Sequence, residues 1–206
     1  MIGVYNYTVV LTYIGMLISF YGISCAIGGD VFSALICLIG SGVCDMFDGK
    51  VASTKKNRTV REKKFGIQID SLSDVICFGV LPGITVYQVS GGSKITLVIG
   101  GLFALCGLIR LAYFNVDEEE RQSQTQESRK YYLGMPITSS AIVVPTVLGL
   151  SGIFHWDLGL VGTVFLAICA VAFISPIRLK KPAGAAKAMM VLFGIAEIAI
   201  LIIGLG

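Results

Sequence analysis

Apolar stretches long enough to cross a bilayer recur from one end of this chain to the other, near residues 8–27, 31–53, 66–90, 94–116, 136–154, 157–176 and 185–204. A hydrocarbon core about 30 Å thick takes about 20 helical residues. Backbone placed in lipid must satisfy its own hydrogen bonds, so such stretches become helices. The expected fold is an all-α polytopic membrane bundle of about seven helices. Composition agrees: 55% of the residues are hydrophobic, only 14% are charged, and the mean hydropathy is +0.82, which excludes an ordinary soluble domain. The longest polar segments, 54–65 and 117–135, are too short to fold alone, so residues 1–206 read as one membrane domain. Pro82 is expected to kink the third span. Met1–Tyr7 has no basic residue and no small-residue cleavage pattern follows the first span, so no cleaved leader is expected.

Thirteen of the 16 Lys and Arg residues lie in segments 54–65, 117–135 and 177–187, all on one side if the spans alternate, and only Lys94 lies on the other. The bias toward basic residues in cytoplasmic loops puts these segments in the cytoplasm. The net charge of +3 comes from these loops and suits anionic lipid headgroups, with no nucleic acid as partner. The six cysteines all fall within spans without C-x-x-C spacing, and read as small buried apolar residues.

Against this background, carboxylates inside spans are costly and informative. CDMFDGKVAS (44–53) carries Asp45 and Asp48, and FGIQIDSLSDVICFG (65–79) carries Asp70 and Asp74. Each pair has i,i+3 or i,i+4 spacing and so shares a helix face. The two helices are antiparallel about the basic loop. Counted from that loop, Asp45 falls level with Asp74 and Asp48 with Asp70, roughly 6–12 Å inside the helix ends at a rise of about 1.5 Å per residue. Four carboxylates this close repel one another and need a counter-charge. Oxygen-only donors favour hard ions, Mg²⁺, Mn²⁺ or Ca²⁺, and two such ions form a clamp suited to phosphoryl chemistry. Gly49, Ala52 and Gly66 leave room beside these aspartates for a phosphate or nucleotide, although small residues also serve plain helix packing.

Arg110 lies about 10 Å inside the fourth span and should face the bundle interior with an anionic partner, either one of the aspartates or a substrate group. Asn115 is a weaker candidate. Arg129, Lys130, Tyr131 and Tyr132 read as an interfacial belt. His155, the only histidine, lies at the far end of a span and is not expected to take part. Glu197, in the last span, pairs either across a subunit contact or with a polar group in the bundle.

The pattern Asp45, Asp48, Gly49, Ala52, Gly66, Asp70, Asp74 resembles the signature of the CDP-alcohol phosphotransferases, D-x2-D-G-x2-A-R-x8-G-x3-D-x3-D, at seven of its eight fixed positions. Ser53 stands where that family has Arg, and twelve residues rather than eight separate it from Gly66. Lys50, Lys55 or Lys56 are the candidate replacements. The resemblance implies a six-helix core (about 5–176) with an extra C-terminal helix (about 185–204). It implies two divalent cations, Mg²⁺ or Mn²⁺, held by Asp45, Asp48, Asp70 and Asp74, with Asp74 also the general base. Gly49, Ala52 and Gly66 then border the CDP group, and Lys50 and Arg110 are candidate contacts to CDP-lipid or acceptor.

FGIQIDSLSDVICFGVLP, with RLAYFN (110–115) and GMP (134–136), is similar to the serine-accepting branch. That similarity implies CDP-diacylglycerol and L-serine as substrates, phosphatidylserine and CMP as products, and a homodimer; the basic loops put the active site on the cytoplasmic face of what reads as a prokaryotic cell membrane. Glycerol 3-phosphate or inositol as acceptor is the alternative within the same chemistry. A divalent-cation transporter would explain the acids but not their interfacial depth, because transport sites lie nearer the midplane.

Overall fold

The computed structural model describes residues 2–124, 131–180 and 184–205. A short 3-10 turn at Tyr7–Val9 leads into α1 (Val10–Ile27), followed by α2 (Val31–Thr54) and α3 (Val60–Asp74). A π-helical segment (Val75–Val80) joins α3 without a break to α4 (Leu81–Val89). Then come α5 (Lys94–Gln124), α6 (Ser140–Ile153), α7 (Leu158–Ile174) and α8 (Gly184–Leu205). The runs Val31–Thr54, Val60–Val89 and Lys94–Arg121, and the first run ending at Ile27, are each long and apolar enough to cross a membrane. The protein is a polytopic helical membrane bundle, and each of the seven expected spans coincides with a helix or helical run.

Two features depart from the expected loops. The fourth span, α5, continues past residue 116 to Gln124, because Glu and Arg are good helix formers and Arg121 pairs with Glu118 at 2.6 Å one turn away. The segments expected to be plain connections around 131 and 178 form a small antiparallel ribbon, β1 (Tyr131–Leu133) on β2 (Arg178–Lys180). Gly134, at φ +73°, turns the chain out of this ribbon, and its N–H donates to the Ile177 carbonyl. Arg129 and Lys130 lie outside the described residues.

Small residues set how closely the helices pack. A Cβ on Gly22 would lie 2.7 Å from the Cys37 Cβ, and one on Gly15 would lie 3.2 Å from the Cys44 Cβ. The antiparallel α1 and α2 therefore approach at positions where one side offers no side chain and the other only a thiol. Ser41 Oγ reaches the Gly15 carbonyl at 2.9 Å and shares a 2.7 Å hydrogen bond with Ser19 Oγ. Gly83 faces Gly100 between α4 and α5 in the same way. Leu35, Leu38, Phe78, Leu81, Phe103, Leu148 and Phe173 fill the core.

Around Pro82 the third span stays helical but changes register. Proline has no N–H and crowds the carbonyl four residues earlier, which here belongs to Phe78. The helix relaxes into the wider π register, with Leu81 N–H donating to the Ile76 carbonyl five residues back. The freed Phe78 carbonyl accepts instead from Ser140 Oγ of α6 at 2.8 Å. The widened turn begins immediately after Asp74, and π segments are frequent beside functional sites.

Candidate functional site

Three carboxylates converge at the basic-loop end of the bundle. One oxygen from each of Asp45 (α2), Asp70 and Asp74 (α3) can be chosen so that all lie within 4.8 Å of one another. Asp74 is the deepest, at 7% exposure. Asp48 lies beside Asp70, close enough for their carboxyls to interact, and lines the same cleft. The four aspartates placed together from sequence spacing are thus brought together by the antiparallel α2–α3 arrangement.

Thr12 of α1 was not anticipated. Its Oγ1 donates to Asp48 Oδ2 at 2.9 Å and fixes one face of that carboxylate. No motif marks Thr12, which becomes visible only once α1 is registered on α2. The cleft is completed by Gly15, Ser41, Ser73, Cys77 and Phe78. Its free volume of about 10 Å³ is on the scale of a single water, so it suits ions and not a nucleotide. The donor set is carboxylate oxygen, which fits a hard divalent metal, and three such donors within 4.8 Å of one another could hold one.

Directly beside this cleft, and sharing Thr12 and Ser73 with it, lies an apolar groove of about 380 Å³ between α1 and α3. Tyr13, Met16, Leu17, Ile69, Leu72 and Ile76 line the rest of it. A polar centre therefore lies against a groove with hydrocarbon walls, with Thr12 and Ser73 lining both.

The other expected residues separate by position. Gly49 is exposed, and a Cβ there would meet no heavy atom within 4 Å. Ala52 is half-buried, and Lys50 is exposed with its ammonium 5.2 Å from the Phe47 ring centre. Gly66 is not open space: the Arg58 guanidinium lies against it, with Nη2 2.7 Å from where a Cβ would stand. Ser53 Oγ is turned back onto its own helix, donating to the Lys50 carbonyl at 2.6 Å. Lys55 is taken up by Glu62 at 2.6 Å. Arg110 is buried at 9% exposure, lies over the Phe114 ring at 5.4 Å, and acts electrostatically on Asp74. Asn115 donates to Ser71 Oγ at 2.9 Å and ties α5 to α3. His155 sits at the opposite end of α6, in a left-handed turn at φ +56°. Glu197 is buried at 1% exposure and accepts from Thr146 Oγ1 at 2.7 Å, so its partner is within the bundle.

Residues 5–203 match the CDP-alcohol phosphatidyltransferase family. The chain belongs to that family. Among CDP-alcohol phosphatidyltransferase relatives, a CDP-diacylglycerol–serine O-phosphatidyltransferase of Helicobacter pylori is 33% identical over 172 residues, which is 81% of this chain and 66% of that protein. An archaetidylserine synthase of Methanothermobacter thermautotrophicus is 34% identical over 120 residues, 58% of this chain and 47% of that protein. A CDP-diacylglycerol–serine O-phosphatidyltransferase of Saccharomyces cerevisiae is 35% identical over 106 residues, 50% of this chain and 37% of that protein. The chain thus spans just under two thirds of the Helicobacter relative and half or less of the other two.

Proposed function

We propose that this protein transfers a phosphatidyl group from CDP-diacylglycerol to the hydroxyl of L-serine, giving phosphatidylserine and CMP. The observation that carries this reading is the junction of the aspartate cleft with the apolar groove through Thr12 and Ser73. A substrate with an anionic head and hydrocarbon tails needs both surfaces in contact. The names of the relatives support serine as acceptor, since the bacterial, archaeal and yeast proteins all act on or form a serine lipid by their names. The basic-loop bias supports a site facing the cytoplasm, where serine and CDP-linked lipid headgroups are accessible.

In this mechanism Asp45, Asp48, Asp70 and Asp74 would hold two divalent ions, Mg²⁺ or Mn²⁺, which would supply counter-charge to the diphosphate. Asp74 accepts the proton of the serine hydroxyl. The serine oxygen forms a bond to the phosphorus that carries diacylglycerol, and the bond from that phosphorus to the bridging oxygen breaks. CMP leaves with that oxygen. Arg110, buried beside Asp74, offsets negative charge at the acceptor side. Thr12 orients Asp48. The acyl chains lie in the α1–α3 groove, so the reacting phosphorus stays at the membrane surface.

The test is CMP release by the purified protein with CDP-diacylglycerol and Mn²⁺ or Mg²⁺, with L-serine, glycerol 3-phosphate and myo-inositol supplied separately. Release with serine alone is expected. Release only with another acceptor keeps the chemistry and overturns the acceptor. Metal-dependent cation flux without CMP release in any arm overturns the enzyme reading.

A further inference from the structure

The α2–α3 connection is built around one carboxylate. Glu62 Oε1 accepts from Lys55 Nζ at 2.6 Å and from Asn6 Nδ2 at 2.8 Å, and Oε2 accepts from the Thr59 N–H at 2.8 Å. Thr59 Oγ1 returns the bond by accepting from the Glu62 N–H at 3.1 Å, which closes a capping box. The N-terminal segment, the loop and the start of α3 are therefore fixed to one another. Within this brace Arg58 is the exception. Its Nη2 reaches only the Glu62 carbonyl, at 3.4 Å, because the Glu62 carboxylate is already occupied. Its Nε is buried without a hydrogen-bond partner among the described residues. Its charge forms no ion pair there either.

Where the brace puts this guanidinium is informative. Its Nη2 points end-on at Gly66, 2.7 Å from where a Cβ would stand, with Cζ 4.0 Å away. Gly66, Asp70 and Asp74 follow at intervals of four along α3, so they form one stripe on one face. The guanidinium thus occupies the next position of the stripe on the loop side of Asp70, one helical turn or about 6 Å away. That spacing leaves room for a phosphate between the carboxylate cleft and a planar, permanently charged fork suited to phosphate oxygens. The lysines of the same stretch are placed less well: Lys55 is neutralised by Glu62, Lys50 lies over Phe47, and Lys56 is exposed on the turn.

From this we infer that Arg58 is a substrate-binding residue, contacting a phosphate of the substrate's diphosphate from the loop side while the aspartate cleft engages it from the bundle side. The inference rests on the phosphatidyl-transfer reading, in which the diphosphate of the CDP-lipid lies at the mouth of this cleft. Gly66 then serves as the seat for the guanidinium and not as open space for the nucleotide.

The experiment measures binding to the purified full-length protein by calorimetry, with Mn²⁺ alone and then with CDP in saturating Mn²⁺. Arg58→Gln is expected to weaken CDP binding by about 10- to 100-fold with Mn²⁺ affinity unchanged. Arg58→Lys should recover part of the loss, and Lys63→Ala, which removes an exposed charge in the first turns of α3, should behave as wild type. CDP affinity unchanged in Arg58→Gln overturns the inference. Mn²⁺ and CDP affinity falling together also overturns it, because the residue would then only support the fold of the loop. A wild-type protein that binds Mn²⁺ but not CDP overturns the phosphatidyl-transfer reading itself, and the inference with it.

Discussion

Replacing Thr12 by valine isolates the contribution of α1 to the aspartate cleft. Valine keeps the shape of threonine and removes one donor, the hydroxyl that bonds Asp48 Oδ2 at 2.9 Å. Thr12 is buried, so water does not readily replace the lost bond. A hydrogen bond to an ionised group contributes about 1.5–3 kcal/mol. At about 1.36 kcal/mol per tenfold in an equilibrium constant, the loss corresponds to roughly a 10- to 150-fold weaker metal affinity. Groups that orient metal ligands show effects of about 10- to 100-fold when removed, the same range. The assay is a Mn²⁺ titration of serine-dependent CMP release, paired with direct Mn²⁺ binding. Thr12→Val should shift both midpoints to higher metal while turnover at saturating Mn²⁺ stays near wild type. Thr12→Ser, which keeps the hydroxyl, should shift neither. An unchanged Mn²⁺ midpoint in Thr12→Val would refute the reasoning, since Asp48 would then either not hold metal or not need its orientation fixed.

Three further perturbations test separate parts of the structure. Asp74→Asn should lower serine-dependent turnover by about 10²- to 10⁴-fold while the purified protein keeps its thermal unfolding midpoint, and retained turnover would remove Asp74 as the base. Ser140→Ala leaves the Phe78 carbonyl, freed by Pro82, without its donor. It should cost about 1–3 kcal/mol, seen as a lower unfolding midpoint in detergent, and an unchanged midpoint would mean that the π segment needs no partner on α6. Glu197→Gln keeps an oxygen that can accept from Thr146 and removes a buried titratable group, so stability and turnover should stay at wild-type levels. A large loss of turnover would tie α8 to the reaction, which its distance in sequence and its contacts do not suggest.

The groove beside the cleft gives the arrangement its logic. Leu17 and Leu72, which line the groove beside the acidic centre, are exposed, so hydrocarbon can lie against them. Placing the carboxylates one to two turns inside the membrane end lets a single substrate keep its tails in lipid and its diphosphate in reach of water. The loop brace at Glu62 holds the Arg58 guanidinium against Gly66, on the loop side of the carboxylates.

Much of this was already fixed by residue order. Hydrophobic runs of bilayer length have no stable alternative to helices in lipid, so the number and positions of the spans follow from the sequence. The intervals between Asp45, Asp48, Asp70 and Asp74 are local properties of two helices joined by one loop, and helical periodicity alone puts them on facing sides at matching depth. Tertiary structure decided the rest, because it depends on which surfaces meet. Thr12 reaches Asp48 only because Gly15 and Gly22 let α1 close on Cys44 and Cys37. The effect of Pro82 turned on a hydroxyl 58 positions later in the chain, Ser140, which accepts no role in any local pattern. The basic loop read as an undifferentiated run of charge, and only its folding around Glu62 distinguishes the neutralised Lys55 from Arg58 over Gly66. Charge type is written in the sequence, but whether a charge is paired depends on geometry that only the folded chain supplies.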